Sequence, residues 1–114
     1  MADGVVYVDF NEGVKRVMNN TKLYVKLLGK FKTDAKMEEL SASIADGDLE
    51  KAQGQAHTIK GIAANLSLAE LFKQVLELEN QIKAKSVDPN QAETVKTVFA
   101  ATVQEVDRII AENG

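Results

Sequence analysis

Residues 56–66 read Ala-His-Thr-Ile-Lys-Gly-Ile-Ala-Ala-Asn-Leu and hold His57, the only histidine of the 114-residue chain. Apolar side chains in and before this stretch recur at spacings of three and four, which predicts an amphipathic helix with one buried stripe. The stripe consists of Leu49, Ala52, Ala56, Ile59, Ala63 and Leu66. Because successive helical residues are about 100° apart, His57 falls just off the stripe and is predicted to face solvent.

Two glycines occupy the predicted histidine face of this helix. Gly54 precedes His57 by three residues and Gly61 follows it by four, so both lie one helical turn away. A glycine inside a helix costs about 1 kcal/mol relative to alanine. We interpret the two glycines as leaving space for something bulky that must approach His57. The residues predicted to provide access and docking on this face are Gln53, Gly54, Gly61, Ala64 and Asn65.

The same residues match a family signature. His57-Thr58-Ile59-Lys60-Gly61, followed by Asn65-Leu66, resembles the H-x-x-K-G and N-L-G motifs of histidine-containing phosphotransfer (HPt) domains. The segment 23–31 is similar to the upstream helix of that family, which ends in a phenylalanine, so the resemblance covers nearly the whole chain. The chain departs from the pattern at Ile62, where a small residue is common, and at Ser67, where glycine is usual.

The resemblance implies a phosphorelay intermediate in a two-component signalling system. His57 would accept the phosphoryl group and exchange it reversibly with a receiver-domain aspartate, and Lys60 would stabilise the phosphoryl charge. A neutral imidazole is nucleophilic near pH 7, and a lysine ammonium acts as a point charge on phosphate oxygens. The implied partners are a response-regulator receiver domain and a sensor histidine kinase, including kinases of the hybrid type. Magnesium is expected on the receiver, and the chain itself is expected to need no cofactor and to have no kinase activity.

A helical interaction module is the alternative function. Such a module would bind a receiver or another helix without being phosphorylated, and the bulk of Ile62 beside the histidine is compatible with it. The neighbouring His57 and Lys60 favour phosphotransfer.

Composition excludes several other classes of protein. Cysteine is absent, and neither a G-x-S-x-G motif, a P-loop nor a kinase glycine-rich loop occurs. No metal site is predicted, because the neighbours of His57 include no carboxylate and no second histidine. No apolar run approaches 18 residues, and no basic cluster is interleaved with aromatic residues. We therefore predict a cytoplasmic monomer that binds neither membranes nor nucleic acid.

Helix signals along the chain predict an all-α fold. Asp9, Thr33 or Asp34, Asp48, Ser67 and Asp88 are predicted to cap successive helices, and Ser67 forms an S-x-x-E capping box with Glu70. The connections are short, so neighbouring helices should be antiparallel. The predicted architecture is a single domain, 1–114, in which residues 34–114 form an up-down four-helix bundle and two short helices within residues 1–33 cap one end.

Charge is distributed unevenly along the chain, whose formal net charge is −3. Residues 1–36 carry seven basic and four acidic side chains, whereas residues 37–114 carry seven basic and thirteen acidic ones. The basic N-terminal part is predicted to attract an acidic partner. Possible partner contacts are apolar at Phe10, Val14 and Val17 and basic at Lys15, Lys22 and Lys26.

Overall fold

The computed structural model describes residues 5–113, which form six α-helices. The helices are α1 (Phe10–Arg16), α2 (Thr21–Asp34), α3 (Met37–Ala45), α4 (Leu49–Asn65), α5 (Ala69–Lys83) and α6 (Pro89–Asn113). No strand occurs within residues 5–113, so the prediction of an all-α fold is confirmed. None of these helices combines the length and the apolar character needed to cross a lipid bilayer.

Three predicted helix caps are formed by side chains, and one of them is at the start of α6, where the Asp88 carboxylate accepts a hydrogen bond from the backbone N–H of Asn90 at 2.9 Å. The Asp9 carboxylate accepts a hydrogen bond from the backbone N–H of Glu12 at 3.2 Å, and that of Asp48 accepts one from Lys51 at 3.1 Å. Between α3 and α4, Gly47 adopts φ +75°, a left-handed conformation that glycine adopts without steric cost. Asp9 therefore fixes the beginning of α1, and Gly47 and Asp48 fix the break before α4.

Two other predicted caps are wrong. Helix α2 continues through Thr33 and Asp34, and α3 begins only after Lys36, whose side chain makes no capping hydrogen bond. Ser67 does not cap α5 either, because the N-cap position belongs to Leu68. The Ser67 hydroxyl instead donates to Glu12 Oε1 at 2.8 Å, and Ser67 has φ +58°. It lies just after the end of α4, in the left-handed conformation for which glycine is best suited.

Helix α2 packs lengthwise against the C-terminal half of α6. Gly29 faces the side chain of Ile110, and Lys32 pairs with Asp107, so the two helices run antiparallel. Helix α4 packs mainly against α5 and α3, and α5 packs against α6. The buried apolar side chains of α2 to α6 form one continuous cluster. The prediction that both N-terminal helices cap a bundle end is thus not confirmed, since α2 is a lateral member of the bundle.

Tyr24 joins α1, α2 and the end of α4. Its fully buried hydroxyl donates to the backbone carbonyl of Leu66 at 2.6 Å. Its ring lies so close to Gly13 of α1 that a Cβ at that position would overlap it. Burial, followed by the negative charges of Asp9 and Glu12, raises the pKa of Tyr24 above its usual range. This contact holds the short α1 over the C-terminal end of α4.

Candidate histidine site

His57 lies in the middle of α4 with 71% of its side chain exposed, as the sequence predicts. Its ring leans towards α5, where Nδ1 is 3.2 Å from Glu79 Oε2. A carboxylate at this distance accepts a hydrogen bond from a protonated Nδ1. The contact therefore orients the ring and assigns the proton of the neutral imidazole to Nδ1, which leaves Nε2 unprotonated.

Glu79 is a buried carboxylate, with only 2% of its side chain exposed. Three basic groups surround it: the His57 ring, Lys60 Nζ at 2.6 Å from Oε1, and Lys83 Nζ at 3.8 Å from Oε2. Lys60 is the closest of the three, and its ammonium is both within hydrogen-bonding distance of Oε1 and the nearest positive charge to it.

The charges around Glu79 decide its protonation state. Burial alone would raise the pKa of Glu79. The adjacent Lys60 ammonium, the charge of Lys83 and the hydrogen bond from His57 together outweigh burial and hold the pKa below its ordinary value. The group is therefore a carboxylate at neutral pH.

Lys60 is less accessible than the sequence suggests. Only 20% of its side chain is exposed, and its ammonium group is paired with Glu79 rather than free beside the imidazole. The sequence correctly places Lys60 one turn from His57 but does not reveal this ion pair.

The predicted access residues lie on the outer side of α4. Gly54 and Gly61 are exposed, and a Cβ at either position would have no neighbour within 4 Å. Gln53 and Asn65 are also exposed, whereas Ala64 is half-buried. Packing within residues 5–113 therefore does not require either glycine.

A groove of about 450 Å³ lies between the α1–α2 corner and the C-terminal half of α4. Its walls are apolar at Val17, Leu27 and Ile62, and its charged lining consists of Arg16, Lys30 and Asp34. Only some of the predicted contact residues line this groove. Val17 does, whereas Phe10 packs edge-on against Tyr24, with 5.7 Å between the ring centroids. Val14 is half-buried. The exposed members of the predicted set are Lys15, Lys22 and Lys26.

Glu79 is the site residue that the sequence analysis missed. A signal for it is present, because Val75, Glu79 and Ile82 are separated by four and three residues, which places the acid beside the apolar stripe of α5. Nothing in that spacing specifies which α4 residue it contacts. Pairing with His57 depends on the packing of α4 against α5, across 22 residues of sequence.

Comparison with known families gives one match. The family model described as Hpt domain matches residues 26–111 of the chain. No curated protein and no solved structure gave a significant match.

Proposed function

The chain belongs to the Hpt domain family, whose members are phosphocarrier modules in two-component signalling, and from this premise we propose that His57 accepts a phosphoryl group and exchanges it with a receiver-domain aspartate. The observation that supports this assignment most directly is the pairing of the exposed His57 ring with the buried Glu79. Nδ1 is committed to the carboxylate, so the nucleophile is Nε2.

The proposed reaction needs no proton to leave the imidazole. Nε2 attacks the phosphorus of an aspartyl phosphate, the N–P bond forms, and the bond between phosphorus and the aspartate oxygen breaks. The ring then carries a positive charge while the Nδ1 proton remains hydrogen-bonded to Glu79, whose negative charge offsets it. In the reverse direction, the aspartate attacks the phosphorus and the neutral imidazole departs. A ring that keeps its proton is suited to transfer in both directions.

Lys60 contributes to this reaction by its charge. A carboxylate near the ring would repel an incoming phosphoryl group, and at 2.6 Å Lys60 balances the charge of Glu79. We therefore assign phosphoryl charge stabilisation to Lys60 through its pairing with Glu79.

The proposed partner is a receiver domain that docks over the exposed face of α4. Gly54 and Gly61 leave space for its approach, with Gln53, Ala64 and Asn65 beside them. The neighbouring groove has apolar walls and is lined by two cations, Arg16 and Lys30, against one anion, Asp34, a balance that suits a receiver surface with apolar and acidic groups. The receiver would supply the acceptor aspartate and its magnesium. A sensor histidine kinase, of the hybrid type or not, would supply the phosphate, and the exchange would occur in the cytoplasm.

Phosphate exchange with a radiolabelled phosphorylated receiver tests the assignment. We expect the chain to take up label that is stable in base and labile in acid, as a phosphoramidate is, and His57→Gln to remain unlabelled with an unchanged helical circular dichroism spectrum. Label on His57→Gln would disprove the assignment. A wild-type chain that binds the receiver but never takes label would favour the interaction module.

A further inference from the structure

The two lysines that contact Glu79 differ in their freedom to move. Lys60 is 20% exposed and lies 2.6 Å from Oε1, whereas Lys83 is 52% exposed and lies 3.8 Å from Oε2. Oε2 also has the hydrogen bond from His57, but Oε1 has Lys60 as its close counter-charge. Glu79 therefore depends on Lys60 much more than on Lys83.

Moving each lysine towards a new anion has a different cost. If Lys60 left, a buried carboxylate would lose its closest compensating charge, which is strongly unfavourable. Lys83 would give up only a 3.8 Å contact made by a half-exposed side chain, and a charge interaction weakens with distance and with access of water. Glu79 would retain both Lys60 and His57.

We infer that Lys83 is the cation that contacts the phosphoryl group on His57, while Lys60 remains paired with Glu79. The inference rests on the proposed function and assigns separate tasks to the two lysines of that site. Lys83 becomes a phosphoryl-binding residue, and Lys60 is a positioning residue that acts through Glu79.

Distances and space allow Lys83 to reach the histidine. Both Lys83 Nζ and His57 Nδ1 contact Glu79 Oε2, at 3.8 and 3.2 Å, so the two nitrogens are at most about 7 Å apart. Lys83 also borders an open groove of about 490 Å³ next to Gln53, one turn before His57 on α4. Rotation of its flexible four-carbon stem can therefore bring the ammonium to a phosphoryl oxygen on Nε2.

The change in contacts conserves charge and atoms. As the N–P bond to His57 forms and the P–O bond of the donor breaks, a phosphoryl group with a charge of about −1.5 to −2 appears beside the ring. Lys83 exchanges its long contact with Glu79 for a charge-assisted hydrogen bond to that group. No bond to Lys83 forms or breaks, and its proton stays on the ammonium.

The lifetime of phosphohistidine tests whether Lys83, rather than Lys60, contacts the phosphoryl group. The full chain is labelled with phosphoramidate, a small donor that needs no docking surface, and hydrolysis is followed in wild type, Lys83→Gln, Lys83→Arg and Lys60→Gln. Lys73→Gln, an exposed lysine of the same helix, is the control. We expect hydrolysis to be at least about fivefold faster in Lys83→Gln, equivalent to about 1 kcal/mol, and close to wild type in Lys83→Arg and the control.

Urea unfolding of the same variants provides a second readout. We expect Lys60→Gln to lower the unfolding midpoint and Lys83→Gln to leave it unchanged. A Lys83→Gln lifetime equal to that of Lys73→Gln would overturn the inference without affecting the proposed function. The inference would also be overturned if Lys60→Gln kept wild-type stability and its phosphohistidine had a shorter lifetime than that of Lys83→Gln. A wild-type chain that takes label from neither phosphoramidate nor a phosphorylated receiver would contradict the proposed function, and this inference with it.

Discussion

Glu79 shows how one residue can set the chemistry of its neighbour. Its buried carboxylate orients His57 through Nδ1 and also pairs with Lys60, so the proposed nucleophile and the lysine one turn away are positioned by the same group. A carboxylate this deeply buried is tolerated because positive charge surrounds it. The exposed histidine is therefore a positioned residue although it lies at the surface.

The charge of Glu79 should make the stability of the fold depend on pH. Its pKa is held below the ordinary value of 4.5, so as pH falls below that value the unfolded chain binds its proton before the folded chain does. The stabilisation by Glu79 is thus complete above about pH 4.5 and is lost as pH falls through the lower folded pKa. We expect Glu79→Gln to lose less unfolding free energy than wild type between pH 7 and pH 3, measured by urea denaturation.

A matched variant separates Glu79 from the other acids. Glu38→Gln changes an exposed carboxylate in the first turn of α3 and should retain the wild-type pH dependence. Equal pH dependence in Glu79→Gln and wild type would mean that the carboxylate does not act as a compensated buried charge.

At the scale of single elements, the glycines of α4 conflict most clearly with helix propensity. Gly61→Ala should add about 0.5–1 kcal/mol of stability, because the added Cβ meets no neighbour. Gly61→Leu should also fold, but it should exchange phosphate with its receiver at least about tenfold more slowly, a barrier increase of about 1.4 kcal/mol. Labelling by phosphoramidate should be much less impaired, because a small donor needs less space.

The control for a large side chain on the surface is Gln104→Leu on α6, an exposed position. It should exchange at the wild-type rate. If Gly61→Leu exchanges equally fast, space at Gly61 is not required. Loss of folding in Gly61→Leu would instead show that α4 needs the glycine for its own packing.

The boundaries of the elements could be predicted where local chemistry determines them. The Asp48 cap and the predicted apolar stripe from Leu49 to Leu66 agree to within one residue with the observed bounds of α4, Leu49–Asn65. Ser67 misled the prediction because its S-x-x-E pattern indicates a cap, whereas its hydroxyl bonds to Glu12 of α1. Sequence within α5 contains no information about that distant partner.

At the scale of the whole molecule, the uneven charge should affect association rather than folding. Lys15, Lys22 and Lys26 are exposed in the basic N-terminal part of the chain. We expect Lys22→Gln with Lys26→Gln to slow association with an acidic receiver surface at low salt, with a smaller difference from wild type near 0.5 M salt, where screening shortens the range of charge interactions. Stopped-flow measurement of the association rate at several salt concentrations tests this.

Lys96→Gln, which changes an exposed lysine in the N-terminal half of α6, is the matched control. It should associate like wild type at every salt concentration. A wild-type rate that does not change with salt would contradict the electrostatic part of the docking proposal.

The overall arrangement was the least predictable part of the fold. Periodicity indicates which face of each helix is buried, and α2 indeed buries Leu28 and Phe31. It does not indicate which helix covers that face, so the sequence predicts α2 at a bundle end whereas α2 lies along the side of α6. The His57–Glu79 contact was missed for the same reason, since both depend on pairing between helices.

The pairing of α2 with α6 also has a consequence for synthesis of the chain. Lys32 and Asp107 are 75 residues apart, so at about 5–20 residues per second a ribosome needs roughly 4–15 s to make the partner of α2 after α2 itself. Helices α4 and α5, which carry His57 and Glu79, are complete before then. During this interval Phe31 lacks its aromatic neighbour on α6, Phe99, so chaperone binding and proteolysis of the nascent chain should be concentrated on α2 until α6 emerges.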